Sequence, residues 1–373
     1  MATLSDILDV EALERQVEAG LIRRTVSPDG RHTLYNYTDR AVYQRAWTPE
    51  TRQCRGLIVR NSDGLIVCRP LDKFFNYGEP DADPLPDWKY VSVSGKLDGS
   101  MIAVWNDSDL EPGVMGGGGW RCTTRGSFDS PQAQAAQAWL DRNVTRIDLT
   151  VGQTYICEWV SPANRIVVKY DETRLALISV RDNHTGHEAI SPFDWPPRSG
   201  LDWVWVYPET DSLDELVKAA REKTGIEGWV LAWYQNTSGK VGRLKIKTDE
   251  YLRLHKLISG FSVERVREQL LAGTADDYIA SLPDEIQKQA EHIQIRILLR
   301  ANRRELELRR QFDALRGNLN VSRRAFAEAV KTFSDRADHA HLFALADGRD
   351  IGAEILKRLD LADLEARQEL EPA

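Results

Sequence analysis

The stretch VSVSGKLDGSMIAVW, residues Val91–Trp105, decides how the rest of the chain is interpreted. Valines alternate with serines up to Gly95, the segment KLDGS follows, and an apolar run begins at Met101. This pattern predicts a strand, a tight turn and a second strand, with Lys96 and Asp98 at the bend. A lysine held there can act as a covalent nucleophile, although a charged turn between two strands is also an ordinary structural feature.

Composition and charge describe a globular protein with room for two domains. The 373 residues are 42% hydrophobic and 28% charged, and the formal net charge is −8. This balance argues against a protein coated in basic surface, but a local basic cleft remains compatible with nucleic-acid binding. No apolar run approaches the length of a membrane span, and the opening residues MATLSDILDVEALERQ have the pattern of an acidic amphipathic helix rather than a signal peptide. We expect no membrane partner.

Cysteine and histidine usage does not favour a transition-metal site. Cys54, Cys68, Cys122 and Cys157 are scattered without CxxC spacing, and three of them fall in apolar or strand-like segments. Buried reduced thiols are favoured over a zinc site, and they predict a cytoplasmic protein. The seven histidines show no convincing metal-ligand spacing.

Residues 1–250 carry the patterns of an α+β domain with largely antiparallel sheets and flanking helices. Helical patterns cover residues 4–20, Gln132–Arg142 and Ser212–Lys223. Short strands are predicted near residues 21–25 and 33–37, as a hairpin within Gln53–Pro70, and at Thr154–Ser161, Arg165–Tyr170, Leu175–Arg181, Gly228–Tyr234 and Arg243–Thr248.

Strand patterns disappear after about residue 249, and we predict an all-helical second domain over residues 251–373. Helical periodicity runs through Val263–Ala272, Pro283–Arg316, Ser322–Ser334 and Asp350–Gln368.

Two cations near the end of the first domain give Lys96 a chemical context. A lysine nucleophile has to lose its proton, and neighbouring cations favour that loss. In RLKIKT, Lys245 and Lys247 are two residues apart, so a strand would place both on one face. Taken alone, the KxK pattern favours a solvated edge strand that discourages aggregation.

Two glutamates and an arginine complete the set of candidate site residues. Glu158 lies in TYICEWVS, and Glu227 begins EGWVLAW, so both carboxylates occupy apolar strand contexts that are costly without a cation, a metal or a ligand hydroxyl. A buried structural salt bridge explains either glutamate equally well. Arg55, in CRG, is either a surface arginine or a phosphate clamp.

Taken in order, CRG, KxDGS, an apolar-strand glutamate, EGxV and KxK form the motif series of covalent nucleotidyltransferases. More specifically, the chain resembles the bacteriophage T-even type RNA ligase 1 family over residues 30–250. The family's RG-containing strand, KFFNxGE segment and SPxNRIVxxY segment are matched by Arg55–Gly56, Lys73–Glu79 and Ser161–Tyr170. In this family a helical domain follows KxK, where DNA ligases and capping enzymes carry an OB barrel.

The resemblance implies an ATP-dependent RNA ligase with the nucleotidyltransferase fold and no OB barrel. Lys96 would attack the α-phosphate of ATP and become lysyl-AMP, AMP would pass to an RNA 5′-phosphate, and a 3′-hydroxyl would displace it. Glu158 and Glu227 would bind the ribose and, through water, a catalytic Mg²⁺ or Mn²⁺ ion. Lys245 and Lys247 would neutralise the α-phosphate in the transition state.

Four further residues acquire nucleotide-binding roles from the same resemblance. Arg55 and Lys73 would contact the phosphates of the nucleotide or of the RNA end. Tyr37 matches a family position near the nucleotide, although core packing also explains it. Arg125 stands in TTRGS where the family tends to carry a lysine, and it is a possible additional phosphate contact.

The expected partner is RNA with 5′-phosphate and 3′-hydroxyl ends, including tRNA, in RNA repair coupled to a kinase or phosphatase that prepares the ends. A phage origin would place the protein in the host cytoplasm. A DNA ligase or capping-type transferase is the nearest enzyme alternative, and a catalytically silent RNA-binding protein is the alternative of another class.

The resemblance implies that the helical domain recognises the RNA substrate, because the family's C-terminal domain favours tRNA-like RNA. Arginines recur at helical spacing, which suits an RNA backbone, but interleaved Glu305 and Glu307 favour a solvated mixed-charge face. The arginines are Arg296, Arg300, Arg303, Arg304, Arg309, Arg310, Arg323 and Arg324.

Overall fold

The protein is described from a computed structural model that covers residues 2–107, 119–143, 149–192, 200–207, 211–235, 240–280, 282, 284–317, 322–362 and 364. The chain divides into two compact units, Met1–Arg253 and Leu254–Ala373. The first unit mixes helices with three sheets, and the described part of the second is helical. No sheet among the described residues closes into a barrel, which confirms the predicted fold class.

Fourteen strands are defined within the described residues. They are β1 (Ile22–Val26), β2 (His32–Tyr37), β3 (Arg55–Arg60), β4 (Ile66–Cys68), β5 (Phe75–Asn76), β6 (Ser92–Lys96), β7 (Ser100–Asn106), β8 (Trp120–Thr124), β9 (Gln153–Val160), β10 (Arg174–Asp182), β11 (Glu188–Ala189), β12 (Val206–Tyr207), β13 (Gly228–Tyr234) and β14 (Val241–Lys247).

The helices of the first unit are short and lie between or beside these strands. They are α1 (Leu4–Ile7), α2 (Val10–Glu18), α3 (Asp39–Tyr43), α4 (Pro49–Gln53), α5 (Pro131–Asn143) and α6 (Leu213–Glu222), and α7 (Asp249–Ser259) crosses the boundary between the units. The continuous helix predicted over residues 4–20 is wrong. Leu8 is extended, and the side chain of Asp9 begins a new helix by accepting a hydrogen bond from the Ala12 N–H at 3.1 Å.

The first sheet contains β1 to β4 in chain order, all antiparallel, and it confirms the predicted hairpin between β3 and β4. The second sheet has the order β11-β10-β9-β7-β8 and is also antiparallel. Its apolar face packs against α5 around Ile102, Leu140, Tyr155 and Leu177.

The third sheet has the order β12-β6-β13-β14-β5, with only β14 and β5 parallel. One face packs against α6, where Leu216 and Ala220 meet Trp229, Leu231 and Leu244. Because side chains alternate along a strand, Ser94, Lys96, Val230, Lys245 and Lys247 lie on the opposite face. That face carries the candidate site.

The two strands around KLDGS belong to different sheets, so the segment is a link between sheets rather than a hairpin turn. β6 pairs with β12 and β13 in the third sheet, whereas β7 pairs with β8 and β9 in the second. Sequence alternation predicts strands correctly here but carries no information on which strands pair.

The strand predicted at Arg165–Tyr170 is wrong. A short 3₁₀ helix, Pro162–Asn164, leads into irregular backbone. The N–H groups of Val167 and Val168 donate to Oδ2 of Asp98 at 2.6 and 2.8 Å, so this buried carboxylate takes the place of a neighbouring strand.

The second unit contains α8 (Val263–Ala272), α9 (Ala275–Ala280), α10 (Asp284–Arg316), α11 (Arg323–Phe333), α12 (His339–Ala346) and α13 (Gly352–Arg358). The predicted helix Asp350–Gln368 is therefore shorter within the described residues, and residues 365–368 lie outside them. Across the described residues, no helix combines the length and apolarity that a membrane crossing requires.

Candidate active site

Strand register brings Lys96, Glu227 and Lys247 into one row. Gly228 of β13 pairs with Lys96 on one side and with Lys247 on the other, and Glu227 immediately precedes it. The Lys96 ammonium lies 2.7 Å from Oε2 of Glu227, and the Lys247 ammonium lies 2.9 Å from Oε1. Glu227 is only 3% exposed. A single buried carboxylate therefore fixes both amines.

The glycine after Glu227 is required by the backbone. Gly228 has φ +147°, and a Cβ there would overlap the carbonyl oxygen of Ile246 on β14. Gly99 in the KLDGS link is restricted in a similar way, because its Cβ would overlap the carbonyl oxygen of Trp159. That contact holds the link against β9, next to Glu158.

Glu158 projects from β9 into the same site. Burial, above all, raises its pKa to about 7; the cations of Lys96 and Arg55 oppose the shift, and Glu227 and Asp98 add to it. The ionised form is therefore costly until a further cation approaches. A divalent metal ion would supply one.

Burial and the surrounding cations lower the pKa of Lys245. Burial comes first, and the charges of Lys73, Lys96, Lys247 and Arg55 follow; together they lower the pKa of Lys245 to about 7. The predicted cluster of cations thus surrounds Lys245, and the Lys96 ammonium has Glu227 as its counter-ion. A phosphate entering the site would supply the anion that Lys245 lacks among the described residues.

Arg55 and Lys73 border the same region, each against an aromatic ring. The Arg55 guanidinium lies 5.6 Å from the ring centroid of Phe74, and burial lowers its pKa. The Lys73 ammonium lies 5.2 Å from the Trp47 ring and 4.8 Å from the Phe75 ring. Both cations are held by ring faces.

Tyr37 and Arg125 contact each other. Nη1 of Arg125 donates to the Tyr37 hydroxyl at 2.5 Å, and the guanidinium lies 4.7 Å from the Tyr37 ring centroid. Gly56, beside Arg55, lies against the backbone of Arg125, which places the pair close to the Arg55 strand.

A cavity of about 130 Å³ joins four of the predicted residues. Arg55, Lys96, Glu158 and Lys245 line it together with mostly apolar side chains; the latter include Leu71, Phe74, Met101, Ile178, Val204 and Val230. We call it the nucleotide cavity, because apolar walls with a few convergent charges suit a planar base joined to phosphates.

Sequence reasoning did not identify Tyr251, and it left the role of Asp98 open. The Tyr251 hydroxyl donates to Oδ1 of Asp98 at 2.8 Å, and its ring lies 4.7 Å from the Lys247 ammonium. The Asp98 N–H also donates to the Tyr170 hydroxyl at 2.8 Å. Asp98 thus ties the KLDGS link to α7. An aromatic residue four positions after KxK gives no sequence signal for this contact.

The carboxylates of the site suit a hard divalent cation. Glu158 faces the nucleotide cavity, and carboxylate oxygens are the ligands that Mg²⁺ and Mn²⁺ prefer. Both oxygens of Glu227 are already paired with lysines, which leaves Glu158 better placed to act through water.

A second group of potential ligands, Asp29, His32 and Asp107, lies elsewhere. Arg31 already pairs with both of its carboxylates, and Arg121 pairs with Asp107, so we assign it no ion.

Sequence comparison relates this chain to RNA ligases. The family model described as RNA ligase matches residues 53–251, more than half of the chain. A putative RNA ligase of Thermovibrio ammonificans is 28% identical over 263 residues, which cover 67% of this chain and 66% of that protein. RNA ligase 1 of bacteriophage TS2126 is 27% identical over 245 residues, covering 63% and 59%. The chain thus matches less than two thirds of the length of either relative.

Among solved structures, an archaeal ATP-dependent RNA ligase superposes with a TM-score of 0.44 at 13% identity, covering 92% of this chain and 96% of that one.

Proposed function

Because this chain belongs to the RNA ligase family, in its bacteriophage T-even RNA ligase 1 branch, we propose that it joins RNA ends through a lysyl-AMP formed on Lys96. One observation carries the proposal: Glu227 holds Lys96 and Lys247 in a row beside a cavity that Lys245 and Glu158 also line. Neither a structural salt bridge nor an edge strand requires this convergence.

In the first step, the Lys96 ammonium gives up a proton to water, Nζ of the resulting amine attacks the α-phosphorus of ATP, and the nitrogen passes a second proton to water as the new bond forms. A nitrogen–phosphorus bond forms, the bond from that phosphorus to the bridging oxygen breaks, and pyrophosphate leaves with its electron pair. Lys245, with a pKa of about 7, takes up a proton as the phosphates approach and so supplies positive charge where negative charge accumulates. A Mg²⁺ or Mn²⁺ ion held through water against Glu158 would neutralise further charge.

In the second and third steps, the AMP passes along the RNA. An oxygen of the RNA 5′-phosphate attacks the same phosphorus, the bond to Lys96 breaks, and AMP-capped RNA forms. A 3′-hydroxyl then attacks the 5′-phosphate and releases AMP. Throughout, the protein supplies positioning and charge neutralisation, which phosphoryl transfer needs more than general bases.

The substrate would be broken RNA, including tRNA, that carries a 5′-phosphate and a 3′-hydroxyl. Breaks with other end groups would first need a kinase or phosphatase, so coupling to such an enzyme forms part of the proposal. The second unit, Leu254–Ala373, would select the RNA, and the nucleotide-binding roles of Tyr37, Arg55, Lys73 and Arg125 remain predictions.

The test is label transfer from ATP. Wild-type protein incubated with Mg²⁺ and α-labelled ATP should retain label after denaturation, and Lys96→Ala should retain none. Lys89→Ala is the matched control, because Lys89 is an exposed lysine shortly before β6 and should behave as wild type. Label on Lys96→Ala, or no label on wild type, contradicts the mechanism. Labelling by GTP in place of ATP, or sealing of DNA ends as well as RNA ends, would contradict the assignment to an ATP-dependent RNA ligase.

A further inference from the structure

The indole ring of Trp47 supports the ammonium of Lys73. That ammonium lies 5.2 Å from the Trp47 ring centroid and 4.8 Å from that of Phe75. No carboxylate pairs with Lys73 among the described residues, and burial lowers its pKa. The two ring faces therefore hold this cation in place of an ion pair.

Trp47 is fixed in turn by aromatic contacts with two of the three sheets. Its ring meets Tyr37 of β2 at a centroid distance of 5.2 Å and an interplanar angle of 88°, and it meets Phe75 of β5 at 5.3 Å and 71°. Both contacts have the edge-to-face geometry that aromatic pairs prefer. The Trp47 N–H donates to the carbonyl oxygen of Arg45 at 2.9 Å, so the place of the indole also depends on the preceding loop.

The loop that carries Trp47 contains a disfavoured backbone conformation. Arg45, between α3 and α4, has φ +51°, and among the described residues it is the one residue other than glycine with a positive φ. Its Nε and Nη2 donate to Oδ2 of Asp81 at 3.1 and 2.5 Å, but the two side chains are 52% and 31% exposed, and an exposed pair contributes little. A strained loop that its surroundings hold in place is typical of a functional constraint.

Lys73 lies in the region where the phosphates of ATP are expected. It lines a second cavity, of about 250 Å³, that shares Phe74 with the nucleotide cavity. Among the cations that lower the pKa of Lys245, its charge comes first. Lys73 and Lys245 are therefore close enough to act on the same group of phosphates.

We propose that Trp47 is a positioning residue, whose ring directs the Lys73 ammonium at the phosphates of ATP, and that the left-handed conformation of Arg45 sets the place of this ring. The inference rests on the proposed function, because it takes ATP as the ligand of the nucleotide cavity. Trp47 acts through Lys73. Loss of its ring should therefore weaken ATP binding only while Lys73 is present.

The test is equilibrium binding of α,β-methylene ATP, an analogue that cannot transfer AMP, to the full-length protein with Mg²⁺. We expect Lys73→Ala and Trp47→Leu each to weaken binding about tenfold, and Trp47→Phe, which keeps a ring face, to stay within about threefold of wild type. The double variant Trp47→Leu/Lys73→Ala should bind as weakly as Lys73→Ala and no weaker. Trp205→Leu is the matched control, because the Trp205 side chain is 70% exposed, and it should equal wild type.

Two substitutions of Arg45 separate the backbone conformation from the ion pair, and they test the inference even if Trp47→Leu fails to fold. Both remove the contact with Asp81, but glycine adopts a positive φ readily, whereas the β-branched valine does not. We expect Arg45→Gly to bind the analogue within about twofold of wild type and Arg45→Val to bind it about fivefold more weakly. The loss in Arg45→Val should disappear when Lys73→Ala is also present.

The inference is overturned if the losses of Trp47→Leu and Lys73→Ala multiply in the double variant, because Trp47 would then support the fold without acting through Lys73. It is also overturned if Trp47→Leu or Lys73→Ala binds the analogue like wild type, if Trp47→Phe is as weak as Trp47→Leu, or if Arg45→Gly is as weak as Arg45→Val.

These outcomes are separate from those of the ligase proposal, because the analogue reports binding without chemistry. Coupled losses in a protein whose Lys96 takes up no label from ATP would support the positioning role and contradict the lysyl-AMP mechanism. Labelled Lys96 together with multiplied losses would support the mechanism and overturn the inference.

Discussion

At the scale of single residues, the site holds two groups whose ordinary charges are opposed by burial. Burial favours the neutral form of both Glu158 and Lys245. It raises the pKa of Glu158 and lowers the pKa of Lys245, each to about 7. Both penalties are relieved by the ligands proposed for the site, a divalent cation for the carboxylate and phosphate for the amine. The burial of these two groups therefore lowers the stability of the unliganded protein, and ligand binding relieves that cost.

These shifts predict a dip in stability near pH 7. The pKa of Glu158 is raised from 4.5, so its stabilising contribution is complete below pH 4.5 and is lost as pH rises to 7. The pKa of Lys245 is lowered from 10.5, so its contribution is complete above pH 10.5 and is lost as pH falls to 7. Urea denaturation without ligand should show that the free energy of unfolding falls as pH rises to about 7 and increases again as pH rises above 7.

Variants of Glu158 and Lys245 test whether these residues cause the acidic and the alkaline part of this pH dependence. At pH 7, Glu158→Gln and Lys245→Met should each gain about 1 kcal/mol of unfolding free energy, since a buried charge is removed, and each should lose ATP labelling. Glu222→Gln and Lys89→Met change exposed charges and serve as controls. A profile that keeps the dip in both site variants would show that other groups cause it.

The residues that sequence reasoning placed in the site share one property: they belong to motifs with a fixed order along the chain. Lys96, Glu158, Glu227 and Lys245 do converge. Tyr251 was missed because its contact with Asp98 joins positions 153 residues apart, and neither residue type signals the other. Likewise, motif order alone did not indicate that Glu227 would neutralise Lys96.

At the scale of elements, the geometry of the site depends on Gly228, where β13 pairs with both β6 and β14. A side chain at this position conflicts with a carbonyl of the neighbouring strand, so the strands would have to separate where Glu227 reaches its two lysines. Backbone conformation and active-site geometry are therefore coupled at one residue.

Gly228→Ala should destabilise the protein by about 3 kcal/mol or more, because it combines a disfavoured φ with a backbone clash. Gly225→Ala is the matched control: Gly225 also has a positive φ, of +72°, but a Cβ there meets nothing within 4 Å. The control should lose only about 1–2 kcal/mol, the cost of a left-handed backbone without a clash. Urea denaturation distinguishes them, and equal losses would mean that the clash with β14 is absorbed without cost.

Strand positions were largely predictable from alternation, and β13 matches its predicted bounds, Gly228–Tyr234. Pairing was not predictable, because the two strands flanking KLDGS satisfy the same pattern whether they pair with each other or not. The segment Arg165–Tyr170 failed for a related reason: its backbone hydrogen-bonds to Asp98, a residue whose burial no local pattern reveals.

At the scale of the whole molecule, the two compact units suggest separate tasks. The first contains every residue of the candidate site. In the second, much of the arginine stripe is paired: Arg309 lies 2.7 Å from Glu305, Arg323 lies 2.8 Å from Asp347, and Arg304 pairs with Asp338. These contacts favour a solvated, mixed-charge surface and argue against a continuous binding track for RNA.

Deleting the residues after Gly260, which leaves α7 intact, tests this division. ATP labelling of Lys96 should stay within about threefold of the full-length rate, because no site residue is removed. Sealing of a tRNA broken in its anticodon loop should fall by about tenfold or more, whereas sealing of a linear oligonucleotide should not. Equal effects on the two RNAs would contradict a role in substrate selection.

The link between β6 and β7 has a mechanical consequence. The nucleotide cavity has Lys96 and Lys245 of the third sheet on one wall and Glu158 of the second on the other, and the chain crosses between these sheets through Leu97–Gly99. An AMP bonded to Lys96 and lying against Glu158 would act as a brace across that crossing. The two sheets would then be held together while AMP is bonded to Lys96 and would be free of this contact after AMP leaves. The covalent intermediate would therefore carry AMP and also bridge the two sheets.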